Sequence, residues 1–237
     1  MQPPKVGNYK VVPLPEPQTT VARCYGVVDL GTVDDTYPGK PPSRKRKLMI
    51  FWELPKLVAV FSDEKGEQPF SISKEISYST HPDSNLSKLV AAWKGRGFTE
   101  EEQRTFDPSV MIGKTCMLNF NVKRKAKYKD SNEPANTQNS YPELVSIMGL
   151  LPELKGSVPP MINQQLHWDW DKILNNEEAF DKEKLSLIYP WVRQKIYESD
   201  EFAECPTAVN IDTNDQQTAY SEAAPESAEE SVGDDWE

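Results

Sequence analysis

Five stretches of the chain are rich in β-branched and aromatic residues or alternate between hydrophobic and polar positions, which is typical of β-strands. They are residues 20–30, 47–54, 70–76, 115–122 and 144–148. Turn-forming glycine, proline and charged residues separate the first three stretches, and Pro55 is expected to end the second. The sequence therefore predicts a mainly β domain.

The hydrophobic spacing changes to that of a helix between the third and fourth stretches. Ser84 is expected to cap a helix that places Val90 and Trp93 on one face and ends at Gly95. A capping box at residues 99–102 predicts a second, shorter helix. Three strands, a helix and two strands are typical of the five-stranded Greek-key OB-fold barrel. In that fold the helix between strands 3 and 4 closes one end, and the face of strands 2 and 3 binds oligonucleotides.

Composition divides the chain into four segments. We expect an extended, proline-rich arm at 1–19, the OB-fold domain at 20–165, a C-terminal helical extension at 166–198 and a disordered acidic tail at 199–237. Within the extension, a helix over residues 185–197 is expected to pack on the barrel through Trp191 and Ile196.

Charge is polarised along the chain. All 27 lysine and arginine residues lie at or before Lys195, whereas the last forty residues hold thirteen of the 37 acidic residues. Residues 1–197 therefore carry a net charge of +3 in a chain whose total is −10. The tail ends with one aromatic side chain among carboxylates, namely Asp234, Asp235, Trp236 and Glu237. Such a tail either only improves solubility, or competes for a basic groove and binds partner proteins.

Two basic clusters lie where loops meet the predicted strands. The first contains Lys40, Arg44, Lys45, Arg46 and Lys47, and the second contains Lys123, Arg124, Lys125, Lys127 and Lys129. Aromatic residues lie near both clusters, namely Tyr37, Trp52, Phe120 and Tyr128. Cations that follow a phosphate backbone, together with rings that stack on unpaired bases, are the means by which proteins bind single-stranded nucleic acid. The alternative is that the clusters are solvated loops and that Trp52 and Phe120 belong to the core.

The sequence contains few signs of a metal site, a cofactor site or a catalytic site. The three cysteines are far apart and form no C-x-x-C pair, and the chain has two histidines. Residues 167–171, His-Trp-Asp-Trp-Asp, are expected to be a packed aromatic connector. Because no phosphate-loop, zinc-protease or nucleophile-elbow motif occurs, we expect a protein that is not an enzyme and has no cofactor and no metal. With no apolar run of membrane-spanning length, we expect a soluble protein that does not bind membranes.

Several short motifs resemble those of the single-stranded DNA-binding proteins of tailed bacteriophages. They are Leu30-Gly31-Thr32, Tyr37 with Gly39-Lys40, Trp52-Glu53-Leu54-Pro55, Ala92-Trp93-Lys94-Gly95-Arg96 with Phe98-Thr99, Phe106-Asp107, and Gly113-Lys114 with Cys116 and Leu118-Asn119. The resemblance covers about residues 20–200. It implies an OB-fold that coats single-stranded DNA without sequence specificity during phage replication and recombination, in the cytoplasm of the host bacterium.

The acidic tail is also similar to those of bacterial and phage proteins of this class. The resemblance implies that it recruits phage or host replication and recombination proteins, although here Glu237 follows the aromatic Trp236. Two other functions stay open: a phage interaction or inhibitor module whose acidic tail mimics DNA, and an enzyme of nucleic-acid metabolism. The sequence also leaves the oligomeric state open, including a homodimer.

Overall fold

The computed structural model describes residues 10–36 and 38–208. Within these residues the strands are β1 (Gln18–Asp34), β2 (Arg44–Ser62), β3 (Gly66–Ser77), β4 (Thr115–Arg124), β5 (Ser140–Gly149) and β6 (Leu166–Trp168). The α-helices are α1 (Asn85–Lys94), α2 (Glu100–Thr105), α3 (Trp170–Leu174), α4 (Lys182–Ser186), α5 (Pro190–Tyr197) and α6 (Asp200–Glu204). The prediction of a mainly β protein with helices between the third and fourth strands is confirmed.

The six strands form one sheet in which β1 is the central strand. The order is β3-β2-β1-β4-β5, each neighbouring pair is antiparallel, and β6 pairs with β1 in parallel. Among the described residues no hydrogen-bonded ladder joins β3 to β5, so the sheet is open. The two edge strands nevertheless share one hydrophobic core, since Ile147 of β5 clusters with Phe70 and Ile72 of β3.

The second strand is longer than predicted. We expected Pro55 to end it, but β2 continues to Ser62. The pairing with β3 passes from Leu54 directly to Val58, so Pro55 lies in a bulge where its missing N–H interrupts no ladder bond.

The inner core lies on the side of the sheet that α1 covers, since Leu86, Val90 and Trp93 of this helix belong to it. The predicted caps are confirmed: Ser84 accepts a hydrogen bond from the backbone of Ser87 at 3.1 Å, and Gly95 adopts a left-handed conformation. Trp93 packs against Trp52 with ring centroids 6.0 Å apart, and its indole N–H donates to the carbonyl of Thr115. The capping box of Thr99 and Glu102 that opens α2 is also confirmed.

A second core lies on the opposite side of the sheet. Residues of β1 and β2 that alternate with those of the inner core, among them Tyr25, Val28 and Phe51, are covered there by β6 and by the helices that follow it. The predicted packing of Trp191 and Ile196 on the sheet is confirmed. The single helix predicted over 185–197 is wrong, because α4 and α5 are separate and Pro190 opens the second of them.

The predicted start of the disordered tail, at residue 199, lies too early in the chain because a short helix follows it. Residues 199–208 are described, and Ser199 caps α6, which begins at Asp200. Gly31, at φ +77°, lies against this helix, and Glu201 accepts hydrogen bonds from the backbone and side chain of Thr32 at 2.6 and 2.9 Å. The extended arm is described from residue 10, where Lys10 donates a backbone hydrogen bond to Phe61. The predictions for residues 1–9 and 209–237 lie outside the described residues.

None of the helices in the described part of the chain has both the length and the apolar character that crossing a membrane requires.

Candidate nucleic-acid interface

The first basic cluster lies at the start of β2, where it pairs with the end of β1. Arg44 makes two hydrogen bonds to the carboxylate of Asp200 in α6, at 2.6 and 3.1 Å. Lys45 forms an ion pair with Asp35 at 2.6 Å. Both cations have partly exposed side chains, whereas Asp35 is nearly buried. The hydrogen bonds that Lys45 and Lys47 donate hold the pKa of Asp35 below its ordinary value, although burial alone would raise it.

Arg46 and Lys47 point into the structure. Arg46 binds the buried carboxylate of Asp29 and also Asp171 of α3 at 2.8 Å, and its guanidinium lies 5.2 Å from the ring centre of Tyr78. Burial alone would lower the pKa of Arg46, but hydrogen bonds to Asp29 and Asp171 raise it above its ordinary value. Lys47 pairs with Asp35 and with Glu75 of β3.

The prediction that all four cations of residues 44–47 are available to phosphates is therefore wrong. Acidic partners come from five distant positions, namely Asp29, Asp35, Glu75, Asp171 and Asp200. Arg46 and Lys47 are structural cations that join β1, β2, β3 and α3. Arg44, Lys45 and the exposed Lys40 are the members that face solvent.

The second basic cluster is divided in a similar way. Lys125 is buried and donates to the carbonyls of Thr137 and Gln138 at 3.0 and 2.8 Å, and burial lowers its pKa. Arg124 donates to the carbonyl of Glu133, and Lys123 pairs with Glu143 at 3.2 Å. The exposed members are Lys127, whose ammonium lies 5.8 Å from the ring centre of Tyr128, and Lys129.

The two clusters lie at opposite ends of β1. Arg44 pairs with Asp34 at the end of that strand, whereas β4, which leads into the second cluster, pairs through Phe120 with Gln18 at its beginning. The seventeen residues of β1 separate them. The structure therefore does not join the clusters into one continuous basic patch.

Two of the four predicted stacking residues belong to the core. Trp52 and Phe120 are both 0% exposed and lie in the inner cluster, so the prediction that they stack on bases is wrong. Their strand positions point inwards, next to Trp93 in the case of Trp52. Tyr128 lies half-buried at the second cluster, and Tyr37 lies outside the described residues.

An aromatic pair that the sequence did not single out as a binding element lies on the outer face of the sheet. Tyr189 and Trp191, at the start of α5, have ring centroids 6.5 Å apart and an interplanar angle of 18°. Both rings rest on Phe51, at 5.6 and 6.3 Å between centroids. The hydroxyl of Tyr189 is 3.0 Å from that of Tyr25. The available signal in the sequence is an aromatic-Pro-aromatic run at the start of a helix, whereas the hydrophobic spacing predicts only a packing role for Trp191.

The acidic groups around His167 form a paired cluster. Ligand atoms of Asp107, His167 and Asp169 lie within 4.8 Å of one another. The ammonium of Lys172 lies 3.2 Å from Asp107 and 3.6 Å from Asp169. Burial and the nearby cations Lys184 and Lys172 lower the pKa of His167. The ammonium of Lys172 is thus shared by the two carboxylates, and the cluster links α3 to the segment that precedes β4.

A cavity of about 530 Å³ lies between α1, α2 and the start of β4. Its wall is mainly apolar and includes Trp93, Phe98 and Phe106, and Lys94 and Lys114 lie among its polar lining residues. The rings of Phe98 and Phe106 are 4.7 Å apart. The motif residues from Trp93 to Lys114 thus build one apolar hollow, away from the face that carries Tyr189.

Comparisons of this chain with protein-family models, with curated proteins and with solved structures gave no match.

Proposed function

We propose that this protein binds single-stranded DNA without base-sequence specificity, and that its sheet is an OB-fold barrel. The observation that carries the proposal is the strand order β3-β2-β1-β4-β5 with α1 between β3 and β4. In the OB-fold, strand 1 pairs with both strand 2 and strand 4, and a helix at this position covers the end of the core. The shared core of β3 and β5 supports closure of the barrel at its remaining edge.

Phosphate contacts would come from the cations that face solvent. Lys40, Arg44 and Lys45 flank one end of β1, and Lys127 and Lys129 lie at the other. Lysine and arginine contacts to phosphates give affinity without reading the base sequence, because each contact releases counterions. In a phage, such binding would coat single-stranded DNA during replication and recombination.

The acidic tail would regulate this binding and recruit replication and recombination proteins. Asp200, at the start of the acidic region, already pairs with Arg44, so a carboxylate occupies one of the proposed phosphate sites. Residues 209–237 add nine acidic residues that would compete in the same way at high effective concentration. DNA that displaces the tail would leave Asp234, Asp235, Trp236 and Glu237 available to a partner protein.

The alternative is an interaction or inhibitor module in which the acidic tail mimics DNA. The internal pairing of Arg46 and Lys47 favours this alternative, because it removes two cations from the surface. The two functions differ in where DNA affinity resides. A DNA-binding protein keeps its affinity without the tail, whereas an inhibitor module would bind its partner through the tail and bind DNA weakly.

The deciding experiment is fluorescence anisotropy with a labelled oligo-dT and its duplex counterpart at two salt concentrations. The proteins compared are the full chain and a chain that ends at Ala208, so that α6 is retained. We expect a preference for the single strand, with a slope of log affinity against log salt of about −0.7 for each phosphate contact, and tighter binding by the shorter chain. Absence of binding by both chains would contradict the proposal.

A further inference from the structure

We propose that Tyr189 and Trp191 form a platform on which an unpaired nucleobase stacks. This inference rests on the proposed function and assigns the base-binding role to the helical extension. The extension covers much of the outer face of β1 and β2, which is the side on which an OB-fold binds oligonucleotides. A DNA strand on that side would therefore meet residues of the extension.

The platform is held by contacts on its sheet side. Pro190 opens α5, Tyr189 precedes the helix, and the ring of Tyr189 is stacked with that of Trp191. Phe51 supports both rings from below, and the hydroxyl of Tyr25 is within hydrogen-bond distance of the Tyr189 hydroxyl. Because the rings are already ordered, little further conformational entropy is lost when a base packs on them.

The platform is also open to solvent. Tyr189 is 37% exposed although its lower face rests on the sheet, and Trp191 is only partly buried. The other tryptophans of the described residues, Trp52, Trp93, Trp168 and Trp170, are buried. Trp191 is consequently the most exposed of the five tryptophans in the described residues, although Trp93 also lines the cavity beside α1.

The surroundings suit the sugar-phosphate chain that accompanies a base. Ser71 and Ser73 of β3 present hydroxyls, and Ser73 pairs in the ladder with Phe51, directly below the rings. Lys195, further along α5, reaches Glu75 of β3 at 2.7 Å, which places α5 across the strand and neutralises that carboxylate. An exposed pair of aromatic rings can stack on an unpaired base, whatever its identity, while the neighbouring hydroxyls can hydrogen-bond to its sugar and phosphate.

The first test uses tryptophan fluorescence of the full chain carrying Trp236→Phe, which removes the emission of the tail. The protein is titrated with oligo-dT and with an abasic deoxyribose-phosphate oligomer of equal length. We expect oligo-dT to quench the emission and the abasic oligomer to bind more weakly without quenching. Binding of both ligands with equal affinity and no quenching would overturn the platform and leave phosphate binding intact. Binding of neither would contradict the proposed function itself.

The second test compares variants by anisotropy with the same two ligands. Tyr189→Ala and Trp191→Ala should each lower the affinity for oligo-dT roughly tenfold, the size expected for one stacked base, and leave the abasic oligomer unaffected. Tyr189→Phe keeps the ring and should bind like the parent. Leu187→Ala, a change at an exposed neighbour, is the matched control. Unchanged affinity of both alanine variants, with thermal unfolding showing that they are folded, would overturn the inference.

Discussion

The carboxylate of Glu53 accepts hydrogen bonds from both the backbone and the side-chain amide of Asn163, at 2.9 and 3.0 Å. Glu53 lies in β2 and is 0% exposed, and the backbone N–H of Ile162 donates to it as well. Asn163 belongs to the segment that leads from β5 to β6, so this contact fixes the path by which the chain crosses to the outer face of the sheet. Glu53, in the Trp52-Glu53-Leu54-Pro55 motif, therefore ties β2 to the segment that leads into the helical extension.

Replacing Glu53 with glutamine should destabilise this crossing. The side-chain amide of glutamine has one oxygen that can accept these hydrogen bonds, and its NH2 group would face the backbone N–H donors of Ile162 and Asn163. We therefore expect the free energy of unfolding to fall by about 1–3 kcal/mol. Urea unfolding of the full chain measures the change. Glu143→Gln, which alters a partly exposed carboxylate paired with Lys123, should be nearly neutral. Equal effects of the two substitutions would contradict the structural role of Glu53.

The buried pair of Arg46 and Asp29 predicts a contrast within the first basic cluster. Arg46→Ala leaves Asp29 buried without its counter-ion, so we expect a loss of about 3 kcal/mol of unfolding free energy, the lower end for buried pairs because the Arg46 side chain is 26% exposed. Lys45→Ala removes a half-exposed cation and should cost about 0–1 kcal/mol. Thermal unfolding compares the two. An equally small loss of stability for Arg46→Ala would contradict the structural role of its ion pair with Asp29.

Gly31 and Gly39 offer a matched pair of substitutions. Both have φ near +78°, so alanine is strained at either position. A Cβ at Gly31 would also lie 2.5–2.8 Å from atoms of Glu201 and Ser199, whereas a Cβ at Gly39 meets nothing within 4 Å. We expect Gly31→Ala to lower the unfolding midpoint more than Gly39→Ala and to expose residues 199–208 to proteolysis. Equal midpoints would mean that α6 does not pack on Gly31 in solution.

The elements with local signals were predicted, and those that depend on distant partners were not. Helix α1 has its cap at Ser84, its hydrophobic face and its terminal Gly95 within twelve residues, so the sequence contains its full description. The short β6 has three residues and exists because β1 offers it a hydrogen-bonding partner. The local sequence around β6 therefore cannot predict it, because the strand depends on pairing with the distant β1.

The second core had a signal that sequence reasoning did not use. In β1 the run from Val27 to Leu30 is hydrophobic at three of four positions, without clean alternation. Such runs are typical of strands that are buried on both faces. This pattern predicts a covering layer on the outer side of the sheet, which the extension supplies. The charge pairing at residues 44–47 had no comparable signal, because its acidic partners are distant in sequence.

Asp35 predicts how stability responds to acid. Lys45 and Lys47 hold its pKa below the ordinary value of 3.8 although it is largely buried. Since the unfolded chain binds the proton first as pH falls, the contribution of Asp35 is complete above about pH 4 and is lost at lower pH. The midpoint of thermal unfolding of Asp35→Asn should thus fall below that of the parent near pH 7, and the difference should shrink below pH 4. A difference that is constant across this range would contradict the assignment.

The pair of Asp200 and Arg44 gives the sharpest test of competition between carboxylate and phosphate. Asp200→Asn removes the negative charge that pairs with Arg44, whose guanidinium then keeps its hydrogen bond to the carbonyl of Thr32, so a DNA-binding protein should bind oligo-dT about two- to fivefold more tightly. Glu204→Gln removes one negative charge from the same helix, in which no ion pair is described for Glu204, and controls for net charge. Anisotropy at low salt measures both variants. If Glu204→Gln raises affinity as much as Asp200→Asn, the effect is due to overall charge, and Arg44 is not a phosphate site.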